Sequence, residues 1–179
     1  MKTDDTKQMI QHTFFLLAKN SPVPKITVSS LCQACSISRS TFYLHYDGVD
    51  DLTDSLEREL LFSVEKILKL ELQIPLQNVE NQTFFRLLTH VQAHLAEFQF
   101  FKNDTNFSHN LLQIVQKSLR NRLKYLGYPT EQHQAEILFC AGGVLQLLLA
   151  QMHLFQPERK QNLCSAYNRL LLSVFVQKL

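Results

Sequence analysis

Between Ser38 and His45 the chain gathers Arg39, Ser40, Thr41, Tyr43 and His45 within eight residues, with Thr27 eleven residues before Ser38. These side chains share one ability: each can donate a hydrogen bond to phosphate oxygen or to the edge of a base. An arginine at the start of a helix can grip guanine with two parallel bonds. A threonine hydroxyl at a helix start, a phenol and an imidazole suit phosphate contacts, which fix register without reading sequence. Ser38 caps the short helix that carries them. The set contains no nucleophile paired with a base and no glycine-rich phosphate loop, so the chain is read as a non-enzyme with no catalytic residue and no cofactor.

Such side chains need a frame that presents them together. Thr27 has helix N-cap character, and Leu31 and Ala34 take the inner face of the helix that follows. Ser36 occupies a turn. Ser38 starts a second short helix that ends near Leu44, and Tyr46 closes the small core. Two short helices joined by a tight turn form a helix-turn-helix, which sets its second helix in the DNA major groove.

The flanking elements are helical as well. Four Gly and five Pro in 179 residues, with long segments free of both, favour an all-α chain. A first helix is expected from about Asp4 to Lys19, with Ile10, Phe14 and Leu17 on one face. Asn20-Ser-Pro-Val-Pro24 breaks it. A connector spans Asp47 to Asp51, and a long helix runs on to about Leu72. Pro75 marks a boundary. Further helices are expected over Thr83–Phe98 (with a broken piece to Lys102), Asn106–Leu126 and Thr130–Leu154. A last helix carries Leu163, Ala166, Tyr167, Leu170, Leu171, Val174 and Phe175 on one stripe. The division is residues 1–50 for DNA binding and 51–179 for a linker helix with a ligand-binding and dimerisation domain.

Ile26-Thr27-Val28, Ile37-Ser38-Arg39, Thr41-Phe42-Tyr43, His45-Tyr46 and Asp51-Leu52 together resemble the DNA-binding domain of TetR-family transcriptional regulators. The likeness covers about the first third of the chain. Phe139-x-x-Gly142-Gly143 also resembles a TetR-type ligand-binding domain. The resemblance implies an N-terminal three-helix helix-turn-helix domain and a C-terminal helical bundle. It implies phosphate contacts from Thr27, Tyr43 and His45, and base reading by the helix of Arg39 and Ser40. Two positions depart from the family pattern. Ser36 stands where glycine is usual, which asks for a strained or shifted turn. Val49, among Asp47, Asp50 and Asp51, stands where lysine is usual. Residues 1–60 hold six basic residues against eight acidic, a net of −2 where a basic footprint is the norm.

Beyond the reading head, the helix from Thr130 is apolar nearly all round. Such a helix packs against its own domain and against something else, most simply a second copy. Val144, Leu147, Leu148, Leu170 and Val174 are the expected homodimer contacts, with Gly142-Gly143 allowing close approach. Ile137–Phe155 is apolar enough to consider as a membrane span. Gln146, Gln151 and His153 interrupt it, so a buried helix is the better reading and no membrane partner is expected. The start of the chain has no apolar signal region, and a cytoplasmic setting fits. Phe84, Phe98, Phe107 and Phe139 are the candidate walls of a pocket for an unknown small-molecule effector.

Three clusters each admit two readings. Cys32-Gln-Ala-Cys35 reads as two buried thiols acting as small hydrophobes, or as a thiol sensor. His90, His94 and Glu97 at i, i+4 and i+7 suit a metal, but also a pocket wall or a solvated face; no metal site is assigned. Lys117, Arg120 and Lys124 form a basic stripe that is a solvated face, or touches an anionic ligand or DNA. The function these features support is a ligand-responsive repressor that binds a palindromic double-stranded DNA operator as a dimer. The alternative is a TetR-like coregulator or ligand-binding module without autonomous operator binding.

Overall fold

The structure is a computed structural model that describes residues 3–20, 26–69, 82–125, 127–150, 162–167 and 169. It is all-helical over these residues. Eight helices run in order: α1 Thr3–Asn20, α2 Val28–Cys35, α3 Arg39–Tyr43, α4 Val49–Lys69, α5 Gln82–Ala93, α6 Leu95–Phe101, α7 Thr105–Tyr125 and α8 Gln134–Ala150. Residues 162–167 are helical too. The chain divides into two units, Met1–Leu60 and Leu61–Leu179.

The first unit forms because short amphipathic helices can bury their apolar faces only against one another. Ile10 and Phe14 of α1, Leu31 of α2, Phe42 of α3 and Leu52 of α4 are fully buried there. Burying a side chain of this size contributes about 1.5–3 kcal/mol. Cys32 and Cys35 join this core, at 5% and 7% exposure. Their thiols point at the carbonyls of Ser38 (3.7 Å) and Met9 (3.9 Å). Burial, then the neighbouring Cys35, raises the Cys32 pKa, which is the opposite of a thiol activated for sensing.

A polar brace ties the ends of this unit together. Lys7 Nζ donates to Glu59 Oε1 at 2.6 Å. Gln11 Nε2 donates to Glu59 Oε2 at 3.0 Å and to Tyr46 Oη at 3.1 Å. Burial pushes Glu59 up, but the hydrogen bonds from Lys7 and Gln11 outweigh it and hold the carboxyl below its ordinary range. Tyr46 is 3% exposed, and burial pushes its phenol up to about 12 despite the Gln11 bond.

In the second unit α5, α6, α7 and α8 bury Leu87, Leu88, Phe98, Phe107, Leu111, Ile137 and Leu148. The helix expected over Thr83–Phe98 divides at His94, whose backbone leaves helical geometry at φ −113, ψ 37. The side chains there explain why a break is tolerated. The His94 ring lies 4.4 Å from the His90 ring, and His94 Nδ1 sits 3.2 Å from Glu97 Oε1. His90 Nε2 lies 2.6 Å from Ser63 Oγ of α4. Burial first, then the facing His94, lowers the His90 pKa to about 4. The helix expected from Thr130 begins at Gln134 instead. After Pro129 the chain makes tight turns, with Gln132 N–H on Pro129 O and His133 N–H on Thr130 O. The expected ends at Leu72 and Leu154 lie outside the described residues, as do Leu170 and Val174. No helix among the described residues is long and apolar enough to cross a membrane.

Candidate nucleic-acid interface

Local side-chain chemistry sets the α2–turn–α3 unit. Thr27 and Ser30 form a reciprocal capping box: Ser30 N–H donates to Thr27 Oγ1 (3.1 Å) and Thr27 N–H donates to Ser30 Oγ (3.0 Å). Two of the free N–H groups at that helix end are thereby satisfied. α2 stops at Ser36, which is left-handed at φ 54, ψ 40, the only non-glycine with positive φ among the described residues. Its N–H reaches Gln33 O, and Ile37 N–H reaches Cys32 O at 3.0 Å. The strain expected at this position is present, and backbone hydrogen bonds hold it.

Ser38 then caps α3. Its Oγ accepts from Thr41 N–H at 3.0 Å, and lies 2.7 Å from Ser40 Oγ and 2.8 Å from Thr41 Oγ1. The Ser38 hydroxyl is therefore committed within the helix start, and Thr41, half-buried, shares in the same cluster. Phe42 anchors α3 with 0% exposure and meets the rings of Tyr43 and Tyr46 at 5.7 and 5.9 Å. With Phe42 turned inward, Arg39, Ser40, Tyr43 and Leu44 face solvent. Tyr43 is 54% exposed and Leu44 82%.

The Arg39 guanidinium donates through Nη2 to Ser29 Oγ of α2. This contact restrains the arginine across the outer surface of the motif. His45 is half-buried with its ring against Tyr46 at 6.4 Å. Thr27 is exposed at the start of α2. Ser29 was missed by the sequence reading, because a pairing ten residues apart leaves no local mark. Gln33 is also exposed on α2.

At the start of α4, Asp51 Oδ2 accepts from Asp47 N–H at 3.1 Å, while Asp47 and Asp50 are exposed. The Asp51 carboxylate completes the α4 start, where negative charge is favourable. The exposed carboxylates around Val49 repel phosphate.

Phe98 and Phe107 meet at 6.0 Å, and Phe101 stacks on Phe107 at 5.3 Å, so these rings fill one another's space. Phe84 stacks on Tyr167 at 4.5 Å. Phe139 is 71% exposed and lines no interior. On α8, Val144 and Leu148 are buried within the chain (3% and 0%), and Leu147 is half-buried. The open face of α8 carries Ala135, Leu138, Phe139, Gly143 and Gln146 instead. Lys117 donates to Glu65 at 3.1 Å beside a shallow groove of Leu68 and Ile114, and Arg120 donates to Gln116 at 3.3 Å.

This fold is one that transcriptional regulators use. Over 96% of its length the chain matches the solved structure of the dihydroxyacetone kinase operon activator DhaS, with a TM-score of 0.69, 16% identity and 97% of that protein covered. It also matches a candidate transcriptional regulator from Pseudomonas aeruginosa PAO1, with a TM-score of 0.60 and 14% identity over 97% of this chain and 93% of that one. At such identities the likeness is one of fold. No protein-family model matches the sequence, and no curated protein matches it.

Proposed function

We propose that the chain is a DNA-binding transcriptional regulator of the TetR type, acting as a homodimer in the cytoplasm. The observation that carries this reading is the α2–turn–α3 unit. Both its helix starts are capped, its turn is locked, and it turns Arg39, Ser40 and Tyr43 outward from a helix anchored by Phe42. In this reading residues 1–50 bind DNA and 51–179 bind a small-molecule effector and a second copy. Arg39 reads a base edge, helped by Ser40, while Thr27, Tyr43 and His45 hold phosphates. Thr41 and Ser38 mainly shape the helix start.

The open face of α8 supports the homodimer. Among the described residues, a Cβ added at Gly142 or Gly143 would meet nothing within 4 Å. Each glycine costs about 1 kcal/mol of helix propensity against alanine, and no packing among the described residues asks for it. On the same face Leu138 and Phe139 are 57% and 71% exposed. Large apolar knobs one turn before small residues suit a two-fold contact in which each copy fills the other. Two reading heads held this way call for a two-fold operator. An effector that favours one arrangement of the dimer shifts operator affinity by its differential binding. Repression is the sign we assign. The alternative, a coregulator without operator binding of its own, draws on the exposed carboxylates around Val49.

Arg39→Ala tests the reading. Discrimination between the chain's own promoter and random duplex should fall by about 1–3 kcal/mol and relax at one base position. Equal losses on both duplexes would remove the base-reading role.

A further inference from the structure

We propose that Leu44 reads the methyl group of a thymine in each operator half-site. This rests on the DNA-binding reading above and adds an apolar contact to its recognition surface. Leu44 is 82% exposed, more than any other large apolar side chain among the described residues. A lone exposed leucine is ordinary on a protein surface; the place of this one on the fold gives it a meaning. Its backbone is still right-handed, at φ −71, ψ −17, and its N–H reaches Ser40 O at 3.2 Å. Leu44 therefore continues α3 by one residue and stands one helical turn after Ser40, on the same face. That face lies opposite Phe42, which is fully buried. The side of α3 farthest from the core of its own unit thus carries one polar residue, Ser40, and one apolar residue, Leu44. The neighbours of Leu44 in sequence, Tyr43 and His45, are the phosphate contacts of the same reading.

Base edges in the major groove present hydrogen-bond donors and acceptors, with one apolar exception, the C5 methyl of thymine. Leucine offers no donor and no acceptor. Over a purine or cytosine edge it would strip water from polar groups and return no hydrogen bond. Over thymine, the methyl and the leucine side chain bury one another. One side chain therefore favours thymine and penalises its competitors at a single position. The contact also suits the charge of this domain. Residues 1–60 carry eight acidic residues against six basic, which weakens contacts made through phosphate. A methyl contact is indifferent to that charge and to salt.

The test pairs two proteins with two duplexes. The parent chain and Leu44→Ala are each titrated with duplex from the chain's own promoter region, carrying either thymine or deoxyuridine throughout; deoxyuridine lacks only the methyl. The parent should bind the uracil duplex at least about fourfold more weakly per half-site, or about fifteenfold for two. Leu44→Ala should bind the thymine duplex more weakly than the parent does, and its sensitivity to the methyls should fall by about that same factor. Its slope of log K against log salt should equal the parent's, because no phosphate contact is lost. Single thymine-to-uracil changes should place the effect at one thymine in each half-site. A parent indifferent to the methyls, an alanine variant as sensitive to them as the parent, or a changed salt slope would each overturn the contact. Lack of selective binding to the thymine duplex would remove the regulator reading itself, and this contact with it. Selective binding that ignores the methyls would remove the contact alone.

Discussion

Replacing Ser36 by glycine should stabilise the protein, and the amount follows from its backbone. At φ 54, ψ 40 the residue is left-handed, a conformation that costs a residue with a Cβ roughly 1–2 kcal/mol. Glycine removes that cost, but its freer unfolded chain takes back about 0.4–1 kcal/mol. The balance is a gain of about 0.5–1 kcal/mol. The backbone bonds of the turn, Ser36 N–H to Gln33 O and Ile37 N–H to Cys32 O, do not depend on the side chain and should persist. Ser36→Val applies the opposite perturbation: a β-branched chain fits this region worst, and the loss should exceed about 1 kcal/mol. Urea unfolding followed by helical circular dichroism reads both, as a shift in midpoint at unchanged slope. A glycine variant no more stable than the parent, or a valine variant equal to it, would mean that the left-handed turn at Ser36 carries no such cost.

Other consequences can be checked alongside. Tyr46→Phe removes the acceptor of the Gln11 bond and should cost about 1 kcal/mol at neutral pH. The same variant reports on alkaline stability. The Tyr46 phenol is raised from 10 to about 12 in the folded chain, so its contribution is full below pH 10 and is lost as pH rises through 12. That loss is on the order of 2–3 kcal/mol and should be missing from the phenylalanine variant in pH-dependent urea titrations. Phe139→Glu places a charge on the open face of α8 and should yield a folded monomer by sedimentation. A fully stable dimer would mean that this face is not the interface.

The legible parts of the fold were those written in local chemistry. Thr27 and Ser38 mark two helix starts eleven residues apart, and their hydroxyls make the capping bonds such residues are chosen for. Phe42 and Tyr46 are apolar enough to reveal the inner side of the motif. Contacts that form only in three dimensions left no trace. Ser29 and Arg39 lie on different helices, and the break at His94 arises among side chains within an otherwise helical pattern. The apolar character of α8 was plain, but a helix apolar on every side does not disclose which side faces inward. That ambiguity put Val144 and Leu148 on the expected partner face, whereas the chain buries them itself and leaves Leu138 and Phe139 outside.

Despite its acidic surroundings, the well-formed helix-turn-helix should still bind operator DNA. The direct measurement is fluorescence anisotropy of the purified chain with duplex from its own promoter region, against a scrambled duplex, across a salt series. Binding to the promoter duplex should be selective. Log K should fall linearly with log salt, on a shallow slope reflecting few phosphate contacts. Equal, weak binding to both duplexes at low salt would contradict operator binding, and would leave the coregulator as the reading the α2–turn–α3 surface supports.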